Sequence, residues 1–550
     1  MKNNSVKKTA NLFASGVLIL TIANLIVKII GVMLKVPLSG ILGNEGMGYY
    51  NGSYEVYVWL YMVSTAGLPV AIAMMVSESK ARGNFREVKK IAKVSLIVFT
   101  VVGFVCMSLL MLLSGVISDK IYNLPGLQYG LCAIAPTLLF ICISCAIRGY
   151  FQGYQYMTPT AISEVIESLG KLLIGMALAY FAMDRFADSD KLYPISAAFT
   201  ILGLTLGVAL SLIYLFIKRV TFKEELYNAE FLRSDSYTMP VRSTKKILKS
   251  LVLIAIPITI SSSVMSFTTM LDSIIISNKL QGLGLTKAEV SETIGYFKTQ
   301  VVTFFNLPPV LIYPISGSLV PYLSSLLVEG DKVKIKNLMN SALRVASLIA
   351  LPCALGMSVL SGPIIKLLFS ATYVEKAAQL LSIQALAVVF VAMLAMTTSI
   401  LQAHKLERKP IYSMFAGAVV KIATSWLLIG IPEIQILGAP ISTFLSYLTI
   451  VLCNFYFVAK YVKFIPDFKG VFIRPLLAAV LSAAAALGTF KLLIMFISAE
   501  KIVTVIAILA AAVVYLGAIF LFKALTKEDM AIIPKGDKLY AKLVKLKLMK

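Results

Sequence analysis

The chain has 550 residues, 59% of them hydrophobic, and a formal net charge of +24; its mean hydropathy is +0.86. Soluble domains hold nearer about 45–50% apolar residues, and apolar runs of about 20 residues, each enough to cross a bilayer, recur along the whole sequence, so a soluble globular protein is excluded. The charge does not indicate nucleic-acid binding either, because Lys and Arg cluster in the short loops between apolar runs, where the positive-inside rule accounts for them.

The first residues, MKNNSVKK, are basic and are followed by an apolar run from Leu12. They resemble a signal n-region, but no cleavage site interrupts the run before Lys28, so the segment reads as a retained first span. Fourteen spans follow from the apolar runs: 10–36, 51–77, 88–116, 126–152, 158–183, 192–217, 247–277, 296–327, 334–361, 377–403, 410–431, 436–459, 471–497 and 501–523. The fold class is therefore all-α, a polytopic membrane protein.

Loop charge sets the orientation. Arg82, Arg86, Lys89 and Lys90 follow span 2; Lys218, Arg219, Lys223, Arg242, Lys245 and Lys246 follow span 6; Lys332, Lys334 and Lys336 follow span 8. Lys405, Arg408 and Lys409 follow span 10, and Lys460, Lys463 and Lys469 follow span 12. The odd-numbered loops, such as those with Glu45 and Glu433, are poor in Lys and Arg. This alternation places both termini in the cytoplasm of a multi-pass cell-membrane protein.

An internal repeat divides the chain. Tyr61-Met-Val-Ser64 with Pro69 is matched by Tyr313-Pro-Ile-Ser316 with Pro321, an offset of 252, and Gly48-Tyr49-Tyr50 by Gly295-Tyr296-Phe297. Gln152 and Gln402 end spans 4 and 10, Pro159 and Pro410 open the next spans, and Lys171 and Lys421 lie further in. The expectation is two pseudo-symmetric six-helix lobes of parallel topology, a standard transporter construction, plus two extra C-terminal helices. In residues this is an N-terminal lobe 1–217, a cytoplasmic linker 218–246, a C-terminal lobe 247–463, extra helices 464–525 and a basic cytoplasmic tail 526–550. The tail, KGDKLYAKLVKLKLMK, alternates Lys with apolar residues and suits the anionic cytoplasmic leaflet as well as it suits solvent.

Charges inside apolar spans are the candidate functional residues, since each costs at least about 2.5–3.5 kcal/mol at mid-bilayer depth. Lys28 and Lys35 are seven apart on one face of span 1, and Glu55 lies in span 2. Arg148 closes span 4; Glu164, Glu167 and Lys171 fall at i, i+3, i+7 in span 5. Asp272 is in span 7, Lys298 opens span 8, Arg344 is in span 9 and Lys421 in span 11. Lys35 sits near Pro37 and can snorkel outward, and Glu167 with Lys171 reads as a self-neutralising i,i+4 pair. Arg344, a turn from a basic loop, reads as a snorkelling residue. The excess of positive charge in the first lobe points to an anionic ligand, and Lys and Arg suit phosphate. Substrate contacts are assigned to Lys28, Lys35, Glu55, Arg148 and Lys298, and coupling to a monovalent cation to Asp272 and Glu164.

Other chemistries find no support. The six cysteines, at 106, 132, 142, 145, 353 and 453, lie within apolar runs, so Cys142-Ile-Ser-Cys145 is a membrane-helix segment rather than a redox loop. The single histidine, His404, stands in a basic loop and cannot found a His-based zinc site. No P-loop occurs and no nucleophile–base arrangement is visible. No catalytic residue, cofactor, metal or nucleic-acid partner is expected, and the chain is read as a monomer among membrane lipids. Gly149-x-x-x-Gly153 and Gly203-x-x-x-Gly207 fit close helix packing.

Lys28-Ile-Ile-Gly31, Gly43-Asn-Glu-Gly46-x-Gly48, Ala66-Gly67-Leu68-Pro69-Val70-Ala71 and Arg148-Gly-Tyr-Phe-Gln152-Gly153 followed by Pro159-Thr160 resemble one family. It is the polysaccharide and lipid-linked oligosaccharide flippase branch of the multidrug/oligosaccharidyl-lipid/polysaccharide exporter superfamily. Within the branch the chain resembles the MurJ-type lipid II flippases of Gram-positive bacteria and the stage V sporulation protein B group. The resemblance implies two lobes around a cationic cavity. It also implies export of an undecaprenyl-pyrophosphate-linked oligosaccharide, lipid II foremost, by alternating access, with spans 13–14 holding the prenyl tail. Lys28 falls where the family places a basic residue three before a glycine; Lys35 and Lys298 stand about one residue and about a turn from comparable positions. Where MurJ-type members often carry arginine in the second helix, this chain has Glu55 and several tyrosines. A cation-coupled multidrug exporter of the same superfamily, or a sporulation or envelope assembly factor, are the alternatives.

Overall fold

The computed structural model describes residues 2–222, 239–369 and 373–530. Among the described residues there is no strand. Among the described residues twelve helices are long and apolar enough to cross a membrane, or 13 if the bent pair Thr244–Ile260 and Ser262–Gly282 is one span. The sequence expectation of fourteen differs because spans 1 and 2 lie in one apolar stretch of 60 residues, Ile22–Ala81. At about 1.5 Å per residue that stretch measures roughly 90 Å, far more than one crossing of a core about 30 Å thick needs. Gly43 breaks it with φ 64 and ψ −179, a conformation essentially reserved for glycine.

The chain forms two compact units, Met1–Gln281 with Leu285–Gly295, and Gly282–Gly284 with Tyr296–Lys550. The first contains α1 (Lys2–Thr65), α2 (Leu68–Ala81), α3 (Phe85–Val116), α4 (Leu127–Gly153), α5 (Thr158–Arg185), α6 (Leu192–Thr221) and α7 (Thr244–Gly282), and it holds most of α8 (Lys287–Tyr296). The sequence had placed the helix of residues 247–277 at the head of the second lobe. In the structure it belongs to the first unit, because its contacts run to α1, α2 and the α3–α4 turn. Ser273 Oγ donates to Glu55, Ser277 Oγ donates to the Tyr122 carbonyl at 2.5 Å, and a Cβ at Gly67 would stand 2.2 Å from the Ala255 carbonyl oxygen.

Helices of the first unit approach at glycines. A Cβ on Gly203 of α6 would lie 2.2 Å from the Gly175 Cα of α5, and one on Gly170 2.5 Å from the Gly207 Cα. The Gly203/Gly207 spacing read from sequence thus meets a second glycine pair across the interface, the small-residue packing common in membrane helices. Gly149 and Gly153 of α4 face Pro69, Ile72 and Val76 of α2 in the same way.

The second unit contains α9 (Leu307–Glu329), α10 (Lys332–Val359), α11 (Ser361–Leu368), α12 (Val374–Ala403), α13 (Arg408–Leu428), α14 (Gly438–Phe457), α15 (Arg474–Ile494) and α16 (Glu500–Leu521). Asp331 caps α10 by accepting from the Val333 and Lys334 amides, both at 3.1 Å. The last two spans are tied to α10 and α11. Tyr515 donates to the Leu348 carbonyl at 2.7 Å, and Lys366 pairs with Glu500 at 2.9 Å. Arg344 pairs with the fully buried Asp529 at 3.1 Å. Arg344 therefore does not snorkel; its charge is met by a carboxylate that follows the last span.

The repeat is visible as a shared turn. After α4, Gln155 has φ 61, its amide bonds to the Gln152 carbonyl and the Tyr156 amide to the Phe151 carbonyl. After α12, Lys405 has φ 60, with bonds from Lys405 to Gln402 and from Leu406 to Leu401. Both are Schellman closures with a left-handed residue that is not glycine. Residues 223–238 of the expected linker and 531–550 of the expected tail lie outside the described residues.

Candidate functional site

The first-span lysines lie on a distinct stripe of α1. With about 3.6 residues per turn, Asn24, Lys28, Gly31 and Lys35 stack at i, i+4, i+7, i+11. Ile22, Leu25, Ile26, Ile29 and Met33 form a second stripe, exposed and wholly apolar. Ala23, Ile30 and Leu34 form a third, buried in the unit. Lys28 is exposed and Lys35 half-buried. The polar stripe therefore adjoins the packed face and stands apart from the apolar face that suits lipid.

Arg148 is placed differently. It is 6% exposed and reaches across from α4 to α5 and α6. Its Nε donates to Ser163 Oγ at 2.9 Å, and its Nη2 donates to Glu167 Oε2 at 3.1 Å and to Ser211 Oγ at 3.3 Å. The sequence had paired Glu167 with Lys171 along one helix; instead Glu167 takes Arg148, and Lys171 Nζ sits 4.1 Å from the Tyr54 ring centre, a cation–π arrangement. Tyr54 belongs to a ladder on α1, Tyr50, Tyr54, Tyr57 and Tyr61, with successive ring centres 6.0, 5.9 and 5.9 Å apart. This ladder is not among the residues singled out from the sequence; its spacing i, i+4, i+7, i+11 is the signal that shows it, whereas nothing local shows the pairing with Lys171.

Glu164 joins Arg148 and Glu167 electrostatically, and its Oε2 is buried without a hydrogen-bond partner. Glu55 is half-buried and accepts from Ser273, next to Asp272, which is 3% exposed. Lys298 lies in the second unit, 4% exposed, in a π-helical turn Phe297–Val301. The seven sequence-chosen residues thus fall into several settings. Lys28 and Lys35 share a stripe; Arg148 and Glu164 share a buried polar cluster; Glu55 and the Asp272–Ser273 turn meet between α1 and α7; Lys298 lies in the other unit. Among the described residues no group of three or more His, Cys, Asp or Glu is arranged to hold a metal ion.

A polytopic, all-helical chain with buried charge clusters between its spans is the build of a membrane transporter. The polysaccharide biosynthesis protein family model matches residues 13–327, and the MatE model matches residues 299–427. The chain belongs to the polysaccharide biosynthesis protein family, within the multidrug/oligosaccharidyl-lipid/polysaccharide exporter superfamily of transporters. It is 24% identical to stage V sporulation protein B of Bacillus subtilis, covering 95% of this chain and 98% of that one. It is 21% identical to lipid II flippase MurJ of the same organism over 92% and 94%. In fold it is similar to a solved structure of lipid II flippase MurJ in an inward closed conformation, with a TM-score of 0.68, 16% identity, and coverage of 92% of this chain and 98% of that one. An inward-facing multidrug resistance MATE family transporter is similar at a TM-score of 0.63 and 14% identity, over 80% and 95%.

Proposed function

We propose that this chain is a flippase that carries an undecaprenyl-pyrophosphate-linked oligosaccharide across the cytoplasmic membrane by alternating access, with lipid II the substrate to test first. The observation that carries the reading is the Lys28–Lys35 stripe, two cations on one face of the first span, one exposed and one half-buried. A pyrophosphate offers the charge to neutralise them, through charge-assisted bonds of about 1.5–3 kcal/mol each. A hydrophobic cation would call for carboxylates at that position. The likeness to a relative named as a lipid II flippase supports the same choice. Arg148, already paired with Glu167, serves in this reading as a strut that holds α4, α5 and α6 around the site. Glu55 and Lys298 are secondary substrate contacts, and Asp272 and Glu164 are the groups through which a monovalent cation couples to the cycle.

The deciding experiment is depletion of the protein in its native cell, followed by identification of the lipid-linked precursor that accumulates on the cytoplasmic side. Accumulation of lipid II supports the reading; accumulation of another polyprenyl-linked glycan changes the substrate and keeps the mechanism; no accumulation of any overturns it. Flipping in vesicles should fall when ion gradients and membrane potential are collapsed, since one charge moved across 100 mV is worth about 2.3 kcal/mol. Both termini are cytoplasmic in this reading. Labelling from outside should reach a cysteine placed at Asp188 and miss one placed at Arg408.

Similarity to stage V sporulation protein B favours a second reading, an assembly role without transport. That role would tolerate neutralisation of Lys28.

A further inference from the structure

Cations of the second unit are held in two ways. Lys334, Lys366 and Arg344 take Asp331, Glu500 and Asp529 as ion-pair partners. Lys409, in the first turn of α13, and Lys460, in the π-helical turn Val458–Val462 that ends α14, lie on aromatic rings instead, and among the described residues neither makes an ion pair. Lys409 Nζ stands 4.3 Å from the Tyr461 ring centre, 5.4 Å from that of Phe457 and 5.9 Å from that of Tyr412. It donates to Tyr461 Oη at 3.2 Å. Lys460 Nζ stands 5.6 Å from the Tyr461 centre and 5.4 Å from the Tyr456 centre, and donates to Tyr456 Oη at 3.1 Å. Two ammonium groups thus meet at one ring, a cation–π arrangement that positions both charges without neutralising either.

The matching place in the first unit is closed by the chain itself. There the turn after α4 meets the end of α6, as here the turn after α12 meets the end of α14. The Phe222 ring fills the first socket, 5.3 Å from Phe151 and 5.5 Å from Tyr154, with Arg219 over Tyr150 and Lys80 over Tyr154. Tyr150 and Tyr154 are 1% and 2% exposed, whereas Tyr456 and Tyr461 are 57% and 45% exposed. The second cluster is therefore open. From it an exposed apolar face runs down each helix, Tyr412, Phe415 and Val419 on α13 and Leu452 with Tyr456 on α14. The two stretches that the Lys409–Tyr461 bond joins, 404–410 and 458–470, hold six cations against Glu407 and Asp467.

We propose that this edge of the second unit binds an anionic phospholipid. Lys409 and Lys460 meet the phosphate diester as point charges, through charge-assisted bonds. Tyr456 and Tyr461 lie at headgroup depth, where tyrosine is favoured, and the acyl chains follow the apolar faces of α13 and α14. Charge complementarity calls for an anion, and the apolar faces that continue from the cations call for one with a hydrocarbon tail. Inorganic phosphate or an acidic peptide would leave those faces uncovered. The site is separate from the Lys28–Lys35 stripe and does not depend on what the chain transports.

The test is native mass spectrometry of the purified full chain in detergent, with phosphatidylglycerol or phosphatidylcholine of the same acyl chains added. Phosphatidylglycerol should be retained in preference, and excess inorganic phosphate should not displace it. Lys409→Gln with Lys460→Gln should weaken its binding about thirtyfold, the weight of two cations at a membrane surface. Lys409→Arg with Lys460→Arg should retain it. Lys332→Gln with Lys336→Gln, two cations of another basic loop, should also retain it. Equal retention of the two lipids, displacement by inorganic phosphate, unchanged binding by the double glutamine variant, or an equal loss in the Lys332/Lys336 variant would each overturn the proposal. A second measurement decides the case if the double glutamine variant does not accumulate. With Tyr412→benzoylphenylalanine in vesicles holding both lipids, irradiation should capture phosphatidylglycerol; capture of neither lipid, or of both in equal yield, would overturn the site.

Discussion

Two regions of the first unit carry positive charge in opposite ways. Lys28 and Arg148 look alike in sequence: each is a cation in an apolar span without a carboxylate one turn away on its own helix. In the structure Lys28 is exposed on a polar stripe of α1, whereas Arg148 is 6% exposed and bonded to Glu167, Ser163 and Ser211. A paired, buried cation holds its surroundings together, because removing it strands its partner. An exposed cation on a polar stripe can be reached by a ligand. The difference teaches that a charge within the membrane is not by itself a binding residue; its partners decide.

Mutations should separate the two. The largest effect is expected from Arg148→Ala. Stranding Glu167 should lower stability by about 3–5 kcal/mol, seen as reduced accumulation and a lower Tm in detergent. Adding Glu167→Ala should recover part of the loss, since the uncompensated charge then disappears. If Arg148→Ala is as stable as the parent and only transport fails, Arg148 belongs with Lys28 and the comparison collapses.

Lys28→Ala should leave accumulation and Tm unchanged, because losing a charge eases insertion. Its flipping of the lipid substrate should fall about tenfold to a hundredfold, the loss of one charge-assisted bond. Lys28→Arg should keep partial activity, since the charge survives with different geometry. Wild-type flipping by Lys28→Ala would remove the stripe from the mechanism.

Lys35→Ala should show a smaller loss than Lys28→Ala, because Lys35 is half-buried and close to Pro37; equal losses would mean that both cations bind with equal weight. The smallest effect on stability is expected from Glu164→Gln. Its Oε2 has no hydrogen-bond partner, so neutralising the carboxylate should leave the unfolding free energy within about 1 kcal/mol of the parent, the range of changes that break no satisfied network. Flipping by this variant should lose part of its dependence on an ion gradient. A large fall in Tm would make Glu164 a second strut beside Glu167.

Much of the fold was legible in the sequence because hydrophobic length and loop charge are local properties. Each span needs only its own run of apolar residues, and the repeat is written in local turns such as those at Gln155 and Lys405. The glycine spacing in α6 also told where another helix comes close, since only small residues permit that approach.

Partnerships were not legible, because they join residues far apart in the chain. Glu167 had two cations within reach, Lys171 one turn away and Arg148 in the preceding span, and only the packing of α4 on α5 chose Arg148. Asp529, beyond the last span, gave no sign of neutralising Arg344. Residues 218–246 read as a linker because they are polar, yet Phe222 packs on the rings of Phe151 and Tyr154 at the end of α4, and Arg242 pairs with Glu87 of α3. By itself, then, the sequence determined that this is a helical membrane protein of repeated spans with cations in its first half. Only the tertiary structure decided which cations are spent in ion pairs and which helices form one body, since a charge has partners only once distant helices are brought within hydrogen-bonding distance.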